Sequence, residues 1–290
     1  VTLKTGMNEQ ELINYIPDFH IAVIRGATKM TRNVIQAASN LELIVRAGSG
    51  LDNVDRAAAE ENGVQVNNTP AATTTSVAEH TLMFMLVLLK KGLRLNQMGN
   101  QKQWTIREKQ GFWDQVLELK DKTLGILGLG TIGKEVARLA RAFNTKIIYY
   151  KRTRLSDEEE REIDVEYSSF EDLLARSDIL SVHVPLSEET RGMIGREEID
   201  KMKHGAILLN LARGEVVDDV ALAEAVLEGR ISGVGTDVLT ERRSGGVVET
   251  PSPLKGLDNV MITPHLAGPT KEARARSQKQ ATDNILRVLG

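Results

Sequence analysis

The sequence predicts an α/β protein made of two doubly wound parallel-sheet domains, and three observations lead there. Short helical patterns alternate with short strand-like runs from residue 8 onward, as βαβ units and parallel sheets require. Midway, the apolar run Thr123-Leu124-Gly125-Ile126-Leu127 enters Gly128-Leu129-Gly130-Thr131-Ile132-Gly133, and an amphipathic run from Lys134 to Phe143 leaves it. At 290 residues the chain is long enough to bury two cores.

The elements follow in order. A helix is expected from Asn8 to Tyr15, a strand from Ile21 to Arg25, a helix after the cap Thr31, and a strand from Leu43 to Arg46. Another helix follows Asp52, and a strand runs from Val64 to Asn67. A long helix is expected from Ser76 to Leu95, because Ser76 and Glu79 have capping-box spacing. Its middle, Leu82 to Leu89, is apolar all round, which calls for burial on every side, in a core or a subunit contact. Beyond the glycine motif come a strand from Lys146 to Tyr150, a helix from Phe170 to Arg176 and a strand from Ile179 to Val184. A helix from Arg196 to Met202, a strand from Ala206 to Asn210 and a helix from Ala221 to Leu227 continue the pattern. Strands from Gly233 to Asp237 and from Val260 to Thr263 complete the second sheet, and a helix from Lys271 to Leu289 is expected to pack back on the first domain.

The glycine turn carries the first chemical signal. In a dinucleotide-binding Rossmann unit the first glycine makes the tight turn, the second lets backbone approach the pyrophosphate, and the third lets helix and strand pack closely. The helix N-terminus adds free N–H groups and a positive partial charge. Gly128, Gly130, Thr131, Ile132 and Gly133 are therefore assigned to the cofactor, joined by His183 near the end of the strand from Ile179 to Val184 and by Pro185 and Thr190 after it. About 20 residues after the glycines, where NAD-binding proteins place an Asp or Glu for the ribose, stands Lys151, followed by Arg152 and Arg154. Cations there suit a 2′-phosphate, so NADP(H) is favoured. NAD(H) stays open, because the acidic cluster from Asp157 to Glu162 can balance these cations as a solvated charge run.

Composition excludes several classes. A formal charge of −3 argues against a nucleic-acid surface. The absence of cysteine rules out disulfides, a thiolate nucleophile and a Cys-ligated zinc site, and suits the reducing cytoplasm where the chain is expected; no metal site is read. The longest apolar run, Leu82 to Leu89, is far short of the roughly 20 residues that span a bilayer, so no membrane partner is expected. The chain begins at Val1 without a methionine.

In a doubly wound sheet, ligands bind beyond the carboxyl ends of the strands. Arg213 and His265 follow such strands, Asp237 closes one, and all three should share one sheet edge with the glycine turn. At this point the chain resembles the D-isomer-specific 2-hydroxyacid dehydrogenases, and most of all their D-3-phosphoglycerate dehydrogenase branch. The matching strings begin with Val45-Arg46-Ala47-Gly48-Ser49-Gly50-Leu51-Asp52-Asn53-Val54-Asp55, Asn68-Thr69-Pro70 and Ser76-Val77-Ala78-Glu79. The glycine turn, Asn210-Leu211-Ala212-Arg213-Gly214 and Thr263-Pro264-His265 follow in the right order, so the resemblance runs nearly end to end. The family's first strand would lie upstream of Val1.

The resemblance implies a Rossmann dinucleotide-binding domain, 77–266, inserted in a flavodoxin-like substrate domain, 1–76 with 267–290. It implies hydride transfer between a nicotinamide and C2 of a small 2-oxo/2-hydroxy acid. Arg213 would bind the carboxylate and polarise the carbonyl, backbone N–H groups at Ser49 and Gly50 would hold the carboxylate's other side, and His265 would be the general acid and base. Asp237 would orient the nicotinamide amide. Arg25 and Arg46 would approach the far end of the substrate, where two guanidinium groups suit a second anionic group. The stretch Tyr149-Tyr150-Lys151-Arg152-Thr153-Arg154 is more similar to glyoxylate and hydroxypyruvate reductases, which keeps those smaller acids open. A homodimer is expected.

One departure matters. The family usually places a Glu five residues after the equivalent of Asp237, paired with the histidine; here that position is Arg242, with Glu241 one residue early. Either Glu241 takes the partner role through a loop shift, or His265 works unpaired. The departure also admits an alternative function, a non-catalytic dinucleotide-sensing regulator of the corepressor type.

Overall fold

The computed structural model describes residues 1–26, 28–101, 111, 113–240, 242–244 and 247–290, and the chain divides into two units, 1–74 with 269–290, and 75–268. The first unit alternates α1 (Glu9–Tyr15), β1 (Ile21–Ile24), α2 (Arg32–Ala37), β2 (Leu43–Arg46), α3 (Arg56–Glu61) and β3 (Gln65–Asn68), with α11 (Lys271–Leu289) returning at the end. Its strands pair in parallel in the order β1-β2-β3. Helix starts are set by side chains that satisfy free amides: Asn8 and Glu11 form a capping box on α1, and Asp55 accepts from Ala58 N at 2.8 Å on α3. The central strand β2 is buried on both faces. Ile44 packs among Val34, Ile35 and Ala58, while Leu43 and Val45 pack against Ala281, Ile285 and Val288 of α11. Thr69 Oγ1 bonds Ser277 Oγ at 3.1 Å and Asn284 Nδ2 donates to the Asn68 carbonyl at 3.0 Å, so α11 packs on the first unit as expected.

The second unit opens with α4 (Thr74–Leu89) and α5 (Gly92–Asn100). The Rossmann alternation follows: β4 (Thr123–Leu127), α6 (Thr131–Arg141), β5 (Lys146–Tyr150), α7 (Asp157–Ile163), β6 (Glu166–Tyr167), α8 (Phe170–Arg176), β7 (Ile179–Val182) and α9 (Arg196–Lys201). Then come β8 (Ala206–Asn210), α10 (Asp219–Leu227), β9 (Ile231–Thr236), the antiparallel hairpin β10 (Arg242–Ser244) and β11 (Val247–Thr250), and β12 (Val260–Ile262). Seven strands pair in parallel in the order β12-β9-β8-β7-β4-β5-β6. Alternate residues serve opposite faces. Ile126, Ile179, Ile207 and Leu209 pack in one cluster with Phe84 and Met85 of α4 and Val136 of α6. Leu127, Leu180, Leu208 and Val234 pack in the other, with Leu173, Ile199 and Leu222 of α8, α9 and α10. Burying each such side chain contributes about 1.5–3 kcal/mol.

Two local expectations are corrected. Ser76 does not cap α4: the helix already begins at Thr74, and the buried Ser76 hydroxyl donates to the Ala267 carbonyl. The long helix is interrupted at Lys91, whose φ of 51° breaks the α ladder between α4 and α5. On α4 the half-buried Met83, Leu86 and Val87 line a surface groove with Leu139, Ala142 and Phe143.

Candidate functional site

Because every strand of the large sheet is parallel, the residues that follow β4, β5, β7, β8, β9 and β12 share one edge. The chain reverses direction across the sheet between β4 and β7, and a crevice opens at such a switch point. There Gly128, at φ +97°, has its turn pressed so closely on the end of β7 that a Cβ would meet Val184 N at 2.8 Å. A Cβ on Gly133 would meet the Gly128 carbonyl at 2.5 Å, which fixes the approach of α6 to β4. Gly130 differs: it caps α6 with no side-chain bond, and a Cβ there would meet nothing within 4 Å. That open cradle at a helix N-terminus fits a pyrophosphate.

His183 lies at the same switch point. Its Nε2 bonds Ser181 Oγ at 2.8 Å, its Nδ1 is buried without a hydrogen-bond partner, and burial pushes its pKa down to about 4, so the ring is neutral at physiological pH. The neighbouring loop closes on itself, with Thr190 Oγ1 donating to the Pro185 carbonyl at 2.6 Å and accepting from Ser187 N at 2.8 Å.

After β5 the three cations separate. Lys151 is half-buried and Arg152 is exposed; the Glu189 carboxyl is held below its usual range chiefly by the Ser187 hydroxyl that donates to it, with a smaller contribution from the charge of Arg152. Arg154 instead donates to both oxygens of Glu160, at 2.8 and 2.7 Å, and to Asp157 at 3.1 Å. Glu160 is buried within α7 and also accepts from Tyr149 Oη at 2.6 Å. For Arg154 the acidic cluster thus supplies the balance that the alternative reading of these cations requires, through one inward carboxylate of α7 and Asp157.

The turn after β8 carries Arg213. Asn210 shapes it, with Nδ2 donating to the Arg213 carbonyl at 2.9 Å and Oδ1 accepting from Ala212 N at 3.1 Å. Arg213 Nη1 donates to the Ala212 carbonyl at 2.8 Å. Gly214 lets this turn lie against the segment after β9, where a Cβ would meet the Leu239 carbonyl carbon at 2.4 Å.

Asp237 and His265 are brought together. Asp237 is buried, and its Oδ1 accepts from Thr263 Oγ1 at 2.5 Å and from Leu266 N at 2.9 Å, while Oδ2 accepts from Ala267 N at 2.9 Å. His265 N donates to the Asp237 carbonyl at 3.0 Å, and the exposed His265 adopts φ 59°. Thus the carboxylate assigned to the nicotinamide amide shapes the histidine loop. Glu241, the candidate partner of His265, lies outside the described residues.

In the first unit, Arg25 is exposed just beyond β1 and Arg46 ends β2. Arg46 Nη1 donates to the Ala47 carbonyl at 2.9 Å and occupies the space where a Cβ of Gly48 would stand. Ser49 is held from two sides: its Oγ donates to the Pro70 carbonyl at 2.8 Å and Asn68 Nδ2 donates to its carbonyl at 2.7 Å. Sequence reasoning missed Asn68, Asn210 and Thr263 as shaping residues, although each stands in a motif that it had marked.

Comparison with known proteins bears on this geometry. Residues 82–267 match the family described as D-isomer specific 2-hydroxyacid dehydrogenase, NAD binding domain. The chain is 40% identical over 277 residues to a D-3-phosphoglycerate dehydrogenase of Archaeoglobus fulgidus, covering 94% of this chain but only 50% of that one. It therefore spans about half the length of that relative. It is also 40% identical over 293 residues to a hydroxypyruvate reductase of Thermotoga maritima, covering 98% of this chain and 89% of the other. Among solved structures, D-lactate dehydrogenase of Aquifex aeolicus, complexed with NAD and lactic acid, superposes with a TM-score of 0.86 at 30% identity, covering 96% and 85% of the two chains. Sequence match, shared fold and the edge on which Arg213 and His265 stand agree: the chain belongs to the D-isomer specific 2-hydroxyacid dehydrogenase family.

Proposed function

We propose that the protein is a nicotinamide-dependent oxidoreductase that interconverts a small 2-oxo acid and the corresponding D-2-hydroxy acid. The observation that carries this reading is the shared sheet edge, where Arg213 follows β8 and His265 follows β12, beside a cradle fitted to a pyrophosphate. A bound reduced nicotinamide supplies the hydride. Arg213 binds the substrate carboxylate and polarises the 2-oxo group through charge-assisted hydrogen bonds. The His265 imidazole delivers a proton to the 2-oxo oxygen in reduction and removes it in oxidation, work suited to a group whose ordinary pKa lies near neutrality. Ser49 and Gly50 are assigned to the carboxylate as well, which their amides support, since neither donates to a backbone acceptor among the described residues. Arg25 and Arg46 are assigned to the far end of the substrate.

Lys151 and Arg152 favour NADP(H), because no carboxylate stands at the end of β5 to receive a ribose 2′-hydroxyl. The half-buried apolar side chains Met83, Leu86 and Val87, with Phe143, support a homodimer. The cysteine-free composition suits the cytoplasm. Among the described residues no helix is long and apolar enough to cross a membrane.

Oxidation of NADPH and NADH with glyoxylate, hydroxypyruvate and phosphohydroxypyruvate tests the reading. Turnover of at least one acid, faster with NADPH, is expected. Faster turnover with NADH would overturn the cofactor preference, and cofactor binding without turnover of any acid would favour a dinucleotide sensor.

A further inference from the structure

We propose that His80 is a positioning residue for His265, acting through Thr263 and Asp237; the catalytic part of this inference rests on the function proposed above. His265 occupies the left-handed region at φ 59°, which costs a non-glycine residue about 1–2 kcal/mol and persists only where its surroundings hold it. Holding is done by Asp237, whose backbone carbonyl and carboxylate receive the amides of His265, Leu266 and Ala267 at 3.0, 2.9 and 2.9 Å.

The carboxylate must itself be aimed, and its remaining bond comes from Thr263 Oγ1 at 2.5 Å. An ionised carboxylate only accepts, so the single hydroxyl proton of Thr263 points to Asp237. Toward His80, whose Nε2 lies 3.0 Å away, the same oxygen can then only accept. His80 therefore carries its proton on Nε2, and donation runs one way, from His80 to Thr263 to Asp237.

The ring at the start of this chain is rigidly mounted. His80 meets Phe84, one helical turn on, edge-on with centroids 4.7 Å apart at 85°. Phe84 in turn lies where a Cβ of Gly235 would meet it at 2.8 Å, so α4 is seated directly on β9, the strand that ends at Asp237. Ser76, four residues before His80 and on the same helical face, donates to the Ala267 carbonyl at the far end of the histidine loop. Ser76 and His80, on one edge of α4, thus grip loop 263–267 at both ends.

His80→Phe keeps the ring and removes the donor, whereas His80→Gln retains an N–H; Thr263→Val and Thr263→Ser form the matching pair. Losing one such bond is expected to lower kcat about tenfold for His80→Phe and for Thr263→Val. His80→Gln and Thr263→Ser should recover most of the rate, and the double variant His80→Phe/Thr263→Val should be no slower than either single one. Hydrogen exchange at the Leu266 and Ala267 amides should accelerate in His80→Phe, a readout that needs no substrate. Unchanged exchange and unchanged kcat would overturn the role of His80, as would a double variant whose losses simply multiply. If the unaltered protein reduces no 2-oxo acid, the proposed function fails while the exchange measurement still decides the positioning role. Should His80→Phe not fold, Thr263→Val against Thr263→Ser decides the same link.

Discussion

The glycine turn after β4 and the histidine loop after β12 stand at the same edge of one sheet, yet they are built in opposite ways. At Gly128 and Gly133 the shape comes from missing side chains: backbone approaches backbone at distances that no Cβ allows. At loop 263–267 the shape comes from side chains, with a buried carboxylate collecting three hydrogen bonds and a helix reaching in from residues 76 and 80. The cradle is formed by six consecutive residues lying against the end of β7. The loop is assembled from segments more than a hundred residues apart, so it is tunable and also more vulnerable to single changes.

The largest expected effect is on the loop. His265→Gln should lower kcat by about 10²–10⁴-fold while leaving NADPH affinity nearly intact, checked by steady-state kinetics beside fluorescence titration of the cofactor. A comparable loss of cofactor affinity would mean that the two regions are not separable.

The cradle can be broken in two distinguishable ways. Gly133→Ala drives a Cβ to within 2.5 Å of the Gly128 carbonyl and should cost about 1–3 kcal/mol of stability, read as a lowered Tm. Gly130→Ala enters open space, so Tm should hold while dinucleotide affinity falls. Equal Tm losses would contradict the different roles given to the two glycines.

A smaller effect separates the cations after β5. Lys151→Ala and Arg152→Ala should each reduce the proposed preference for NADPH over NADH, together by about tenfold. Arg154→Ala should leave the preference alone and lower the urea midpoint, because that guanidinium is engaged by Glu160. The smallest effect is the pH dependence of the same pair. Hydrogen bonding from Arg154 holds the Glu160 carboxyl at about 2 against an ordinary 4.5, so its contribution is complete above pH 4.5 and disappears as pH falls through about 2. The Glu160→Gln variant should lack that part of the acid destabilisation, measured by urea midpoints across this window.

Legibility followed the same division. β2, β5, α8, β8 and α11 have the boundaries that periodicity predicts, because apolar alternation and caps such as Thr31 and Thr270 act locally. The glycine turn was readable for the same reason, since its residue types are themselves the geometry. Ser76 misled because capping-box spacing also occurs inside a helix, where its hydroxyl found the Ala267 carbonyl 191 residues away. Arg154 read as a phosphate ligand because nothing in the sequence marks Glu160 as the one acidic residue of its cluster that turns inward. His80 gave no signal: a lone histidine in an apolar helix acquires meaning only when Thr263 stands beside it.

Hydride transfer to C2, with His265 moving the proton, is decided by deuterium transfer from C4-labelled NADPH to hydroxypyruvate, followed by NMR and chiral analysis of the product. One deuterium at C2 of a product of D configuration is expected, at a rate lowered by His265→Gln. An unlabelled product, an L product, or a rate indifferent to His265 would contradict it.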